Sequence, residues 1–294
     1  MGDPGTLDLR RSCGAVALVR DVVVVAGPDA VGFLQGQLSQ DVAALALDAS
    51  APSLLLQPTG KVDAWLRVTR SAEEEVLLDV DAGWGEAVAA RLRRFLLRTN
   101  ATLAVGTWSG LAVRGPGAAA VDATGGRRLA VAWPGVDGVD VLGPDGATLG
   151  AGTGVALVDG AALEALRIES GVPAMGAEVT DATIPAELGQ WLVDGSASFT
   201  KGCYTGQELV ARIDSRGGKV PRPIRGLLVD GRVVAPGAPV VADGAEVGHV
   251  TSIARSATRG VVALAAVARS VEPGRTVTLG RDEATALVAE LPLR

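Results

Sequence analysis

Apolar runs in this chain are short, and glycine or proline soon ends them. Between residues 101 and 158 the runs are Leu111-Ala112-Val113, Leu129-Ala130-Val131, Val139-Asp140-Val141-Leu142 and Val155-Ala156-Leu157-Val158. None is long enough for a helix, and turn-forming residues separate them, so they read as antiparallel strands. The same punctuation returns after Pro221-Arg222-Pro223, which reads as a domain linker. Beyond it, Ile224 to Val229, Pro239 to Val241, Val247 to Ser252, Gly260 to Val267 and Arg275 to Leu279 are the expected strands of a small β-barrel. The lone histidine, His249, falls in one of them and reads as structural.

Upstream, Ala15 to Arg20 and Val22 to Val25 form a β-rich entry behind a segment, 1 to 12, that reads as frayed. Asp29 is placed to cap a helix from Ala30 to Leu38, with Val31, Leu34 and Leu38 on one face. Leu54 to Arg70 reads as a hairpin about Pro58-Thr59-Gly60-Lys61. Val62, Ala64, Leu66 and Val68 share one face at period two; Asp63, Trp65 and Arg67 share the other. Val76 to Val80 follows as a strand. Trp84 to Leu97 is the next helix, with Val88, Leu92, Phe95 and Leu96 inward and Arg91, Arg93, Arg94 and Arg98 outward. That arginine face is a phosphate patch or a solvated surface. Asp159 caps a helix from Ala161 to Glu169, and Gly171 ends it.

With 294 residues and 48% hydrophobic side chains the chain can bury the core of two or three domains. A net charge of −6 argues against bulk nucleic-acid binding. No apolar run is long enough to span a membrane, and no leader pattern opens the chain; the myristoylation-like start, Met1-Gly2-Asp3-Pro4-Gly5-Thr6, is read as chance. Two distant cysteines, Cys13 and Cys203, form no disulfide framework, which suits the cytoplasm, and cannot alone ligate a cluster or zinc.

One octapeptide concentrates scarce residues: Lys201-Gly202-Cys203-Tyr204-Thr205-Gly206-Gln207-Glu208. It holds one of only three lysines, the only tyrosine and one of two cysteines. Thr205 and Glu208 fit a capping box ahead of Leu209 to Ile213. Cys203 would then sit before a helix N-terminus, with Lys201 nearby. Both effects favour a thiolate. The alternative is a tight turn whose cysteine is merely small and buried.

The octapeptide and the following Leu-Val-Ala-Arg resemble the signature of the YgfZ family, folate-binding relatives of the glycine cleavage T-protein. Gly27 to Val42, Leu166 to Pro173, Ile184 to Gly189, Gly248-x-Val250-Thr251-Ser252 and Ala263-Leu264-Ala265 extend the resemblance. It implies an α+β multi-domain fold with antiparallel sheets, a ferredoxin-like α/β subdomain and a C-terminal β-barrel. The domains expected are 1–220, with a second interwoven subdomain at roughly 50–108, and 221–294. The cofactor implied is tetrahydrofolate or a derivative. Glu169 would bond the pterin, with Arg167, Tyr204, Gln207, Glu208 and Arg212 as further folate contacts and Cys203 and Lys201 as the catalytic pair. Cys203 could also supply one ligand to a cluster shared with a partner. The function implied is support of iron–sulfur cluster assembly or repair, with tRNA modification attached to the family. Its partners would be reduced folate and iron–sulfur proteins or cluster carriers. The alternative is a folate-dependent aminomethyltransferase. The Asp-Asp pair of the T-protein falls at Ala64 and Trp65, with Asp63 one residue out of register, which disfavours transfer chemistry.

Overall fold

The computed structural model describes residues 7–215, 217–280 and 284–293. In chain order the elements are β1 (Gly14–Ala26), α1 (Ala30–Gln37), β2 (Ser50–Leu56), β3 (Val62–Ala72), β4 (Glu75–Asp81), α2 (Gly85–Arg93), β5 (Thr102–Arg114), β6 (Ala123–Thr124), β7 (Arg127–Ala130), β8 (Gly138–Gly143), β9 (Thr148–Leu149), β10 (Ala156–Val158), α3 (Gly160–Ser170), α4 (Gln190–Ser196) and α5 (Gln207–Asp214). Six further strands follow: β11 (Ile224–Gly231), β12 (Pro239–Ala242), β13 (Ala245–Ser256), β14 (Gly260–Val267), β15 (Thr276–Leu279) and β16 (Ala284–Ala289).

The architecture is α+β, with antiparallel sheets and few helices. One sheet runs β2-β3-β4-β1-β5-β8-β7. Its central strand, β1, is a single valine-rich ribbon that pairs with β5 along its whole length and with β4 over its second half. β10 adds to its first residues in parallel, the one parallel pairing among the described strands. The period-two face of β3 is buried as its pattern requires: Ala64, Leu66 and Val68 join Leu34 and Leu38 of α1 and its flank, Val88 and Leu92 in the main core, while Val62 packs with Leu54, Leu56 and Val210. The second part of the chain is a closed six-stranded barrel, β11-β14-β13-β12-β15-β16, around its own core of Leu227, Val250, Ala263, Leu279 and Val288. His249 sits exposed on β13. No helix among the described residues is long and apolar enough to cross a membrane.

α3 joins the two parts. Its N-cap is Asp159, whose carboxylate accepts the Ala161 N–H at 2.9 Å, and its C-cap is Gly171 with φ +72°, both as the sequence implies. Ile168 packs on Val262, Leu264 and Leu293 of the barrel region.

Other expectations need correction. Residues 1–6 lie outside the described set, but 7–12 are tied down rather than frayed: Leu9 is buried and Arg10 pairs with Glu169. α2 is shorter than Trp84–Leu97, because beyond Arg93 the backbone tightens into three-residue turns, Phe95 N–H to Leu92 and Leu96 N–H to Arg93. Phe95 and Leu97 are therefore exposed, while Arg91 is buried. Asp29 precedes α1 without a side-chain bond to it; its carboxylate takes the Asn100 N–H instead, at 2.7 Å.

Candidate functional site

One face of the large sheet, α3 and the segment after β7 enclose a cavity of about 240 Å³. Leu18, Pro52, Trp65 and Trp133 give it apolar walls, while Arg20, Arg67, Asp81, Arg114 and Asp140 supply charge. Strand pairing aligns these groups: Arg67 stands opposite Asp79, and Arg20 opposite Asp81. Asp79, buried beneath the cavity, accepts from Arg20 Nε at 3.1 Å and from Arg67 Nε and Nη2 at 2.8 and 3.0 Å. Arg67 Nη1 donates to Asp140 at 2.9 Å, and Arg114 pairs with the other Asp140 oxygen at 2.8 Å. Arg20 also pairs with Asp81, whose second oxygen accepts the Met175 N–H at 2.9 Å.

Burial alone would favour the neutral forms of Arg67 and Asp140, but the pairing outweighs it. Desolvation pulls the Arg67 guanidinium down, yet Asp79 and Asp140 hold it above its usual range. Desolvation pushes Asp140 up, yet Arg114 and Arg67 keep it below the usual carboxylate range. Arg67 and Asp140 thus stay ionised. One donor remains unused: Arg114 Nε is buried without an acceptor. The same guanidinium stacks 4.7 Å from the centre of the Trp133 ring. An indole face, an ionised carboxylate and a free buried N–H together suit a flat heterocycle with a polar edge.

α3 adds Glu164 and Arg167 to the wall. Arg167 donates Nε and Nη2 to Glu164 at 2.8 and 2.7 Å, Nη1 to Glu178 at 3.0 Å, and Nη2 to Ser252 of the barrel at 2.7 Å. The Ser252 hydroxyl donates in turn to Glu178 at 2.7 Å. Glu169 does not line the cavity. Two residues past Arg167 is more than half a turn round a helix, and Glu169 there accepts Arg10 Nε at 2.9 Å.

The octapeptide forms a separate locus. Lys201 Nζ donates to the carbonyls of Gln35, Leu38 and Gln40 at 2.6, 2.8 and 2.8 Å, closing the C-terminal end of α1. It lies 5.2 Å from the Tyr204 ring centre. Burial lowers Lys201 to about 8, with Asp41 opposing. Tyr204 is buried with Leu54, Leu192 and Val210. Gln207 accepts the Tyr204 N–H at 3.2 Å. Glu208 and Arg212 lie exposed on α5, and Cys203 is exposed just before it.

The capping box is not formed. α5 begins at Gln207 with Gly206 as its N-cap, and the Thr205 N–H donates to Gly36. Gly206 has φ +81°, and a Cβ there would lie 2.5 Å from the Gln57 carbonyl oxygen. That close approach to the β2–β3 turn, not a side-chain cap, requires the glycine.

Of the residues expected from sequence to be catalytic or to contact folate, then, only Arg167 reaches the cavity wall; Cys203, Lys201, Tyr204, Gln207, Glu208 and Arg212 do not line it. Asp63 is also off it, bonded to Arg91 at 2.9 Å. Sequence reading missed Arg20, Arg67, Asp79, Arg114, Trp133 and Asp140. A faint signal existed: Asp140 interrupts the apolar run Val139 to Leu142, a costly place for an unpaired charge.

Residues 222–293 match the glycine cleavage T-protein C-terminal barrel domain. The chain is 30% identical over 217 residues to the tRNA-modifying protein YgfZ of Edwardsiella ictaluri, covering 66% of this chain and 64% of that protein. It is 28% identical over 219 residues to the mitochondrial iron-sulfur cluster assembly factor IBA57 homolog of Mycosarcoma maydis, covering 67% and 53%. The chain spans just under two thirds of the length of the first curated relatives it matches. The crystal structure of the glycine cleavage system aminomethyltransferase T from Bartonella henselae superposes with a TM-score of 0.76 at 24% identity, over 97% of this chain and 87% of that one.

Proposed function

The chain belongs to the YgfZ/T-protein-like family, and on that premise we propose that it is a folate-binding accessory protein that supports iron–sulfur cluster assembly or repair in the cytoplasm. The observation that carries this reading is the cavity beneath α3. Trp65 and Trp133 would flank a pterin, and Asp140 and the free Arg114 Nε would meet its polar edge. A reduced folate, when bound, supplies a carrier for one-carbon units. Arg114 and Arg67 hold Asp140 ionised, ready to accept from such a ring. Relatives named for tRNA modification and for iron–sulfur assembly favour a role in those processes.

Titration calorimetry with tetrahydrofolate tests it. A stoichiometric site with quenched tryptophan emission is expected, weakened at least tenfold by Asp140→Asn. Absence of heat at millimolar folate would remove the reading.

Cys203 has a second part in this proposal. Exposed on its loop, it would give one thiolate to a cluster whose other ligands come from a client protein. Growth of a strain lacking the protein, rescued equally by wild type and Cys203→Ser, would rule that out. The overall likeness to an aminomethyltransferase favours a second reading, folate-dependent aminomethyl transfer. Against it, Asp63 is bonded to Arg91, away from the cavity. Turnover of an aminomethyl-lipoyl carrier, lost on Asp63→Asn, would reinstate it.

A further inference from the structure

A second cleft, of about 900 Å³, opens between the β2–β3 turn, α2 and residues 175–181. It shares no lining residue with the central cavity. Trp84, Val88 and Met175 give it an apolar side. Gly176, at φ +81°, lets the backbone lie against the Trp84 ring: a Cβ there would come within 3.2 Å of it.

Arg91 lines the cleft and is only 8% exposed. Its Nε is spent on Asp63 at 2.9 Å, and its Nη2 on the Leu56 carbonyl at 3.0 Å. Phe95 stacks under the guanidinium, 4.4 Å from it. The third nitrogen, Nη1, is buried and donates to nothing. A buried charged donor without an acceptor is costly, so an anion that supplies one is favoured. The group is held rigidly on three sides, so an incoming acceptor meets a pre-oriented fork. Arg94, three residues on, stands exposed on the same wall. Of the two carboxylates, Asp63 is already taken by Arg91, and Asp181 is exposed to solvent, where its field is screened.

We propose that this cleft is a second ligand site, for a small organic anion whose phosphoryl or carboxylate group sits between Arg91 Nη1 and Arg94 while its apolar body lies on Trp84 and Met175. It gives the arginines of α2 a use that folate binding leaves unassigned.

Phenyl phosphate serves as the probe, with inorganic phosphate and benzyl alcohol standing in for its charged and its aromatic half. Calorimetry on the full chain should show phenyl phosphate binding at least tenfold more tightly than either half. Arg94→Gln and Ala87→Trp, which removes the outer cation and fills the exposed α2 wall respectively, should each weaken it at least tenfold. Both leave Arg91 and its partners in place, so folding is kept. Tetrahydrofolate titration should give the same affinity in both variants as in wild type. Equal binding of phenyl phosphate and benzyl alcohol, or binding unchanged in both variants, would overturn the proposal.

Discussion

Lys201 spends its ammonium hydrogens on three backbone carbonyls, and this decides what it can do. It fastens the Cys203 loop to the end of α1, and an arginine, being a planar fork, could not reach three convergent oxygens. Its folded value of about 8 lies below that of an unfolded lysine, about 10.4. Between those values the unfolded chain holds more protons, so the Lys201 contribution to stability is least below pH 8 and grows as pH rises toward 10. Tyr204, raised by burial, acts the other way above about pH 10. Urea unfolding of wild type and Lys201→Met from pH 7 to 9.5 should show the wild type gaining on the variant; a constant difference would contradict it. The cysteines give a second test. Burial pushes the Cys13 thiol up, while Cys203 is exposed. Iodoacetamide should label Cys203 first from pH 6.5 to 8.5, as read by mass spectrometry. An activated thiolate requires more, namely faster labelling in the folded than in the unfolded chain. The scarcity of Lys, Tyr and Cys marked this loop in the sequence, but not its geometry. Thr205 satisfied a local pattern, and a tertiary contact, Gly206 against Gln57, moved the helix start past it.

At the scale of elements, α3 is the part most legible in advance, because its signals, Asp159 and Gly171, act within one turn. The β2–β3 hairpin was legible for the same reason. The polar floor of the cavity was not, because Arg20, Arg67, Asp79, Arg114 and Asp140 come from five strands that only the sheet order brings together. The junction of α3 with the barrel is also where single changes should cost most. Glu178 is fully buried between Arg167, the Ala174 N–H and Ser252. Glu178→Ala leaves a buried guanidinium short of a partner and should cost about 3–5 kcal/mol in denaturant unfolding. Ile168→Ala opens a hole against the barrel and should cost about 2–4 kcal/mol. Losses below 1 kcal/mol in both would mean that α3 does not hold the barrel in place.

For the whole molecule, the two parts differ in autonomy. The barrel closes on its own core, so a 221–294 fragment should fold, with a cooperative β-type circular dichroism transition. It should bind no tetrahydrofolate, since none of its residues lines the cavity. Val262, Leu264 and Leu293 would then be bared where Ile168 had covered them, and sedimentation should show self-association. Arg167 faces the cavity on one side and holds Ser252 of the barrel on the other. Any ligand that steadies Arg167 must therefore tighten the barrel's hold, and by reciprocity a loosened barrel must release ligand by the same factor. Cleavage between the two parts, near Gly217 and Gly218, should slow when folate is added, which makes a protease a reporter on a cavity it never enters.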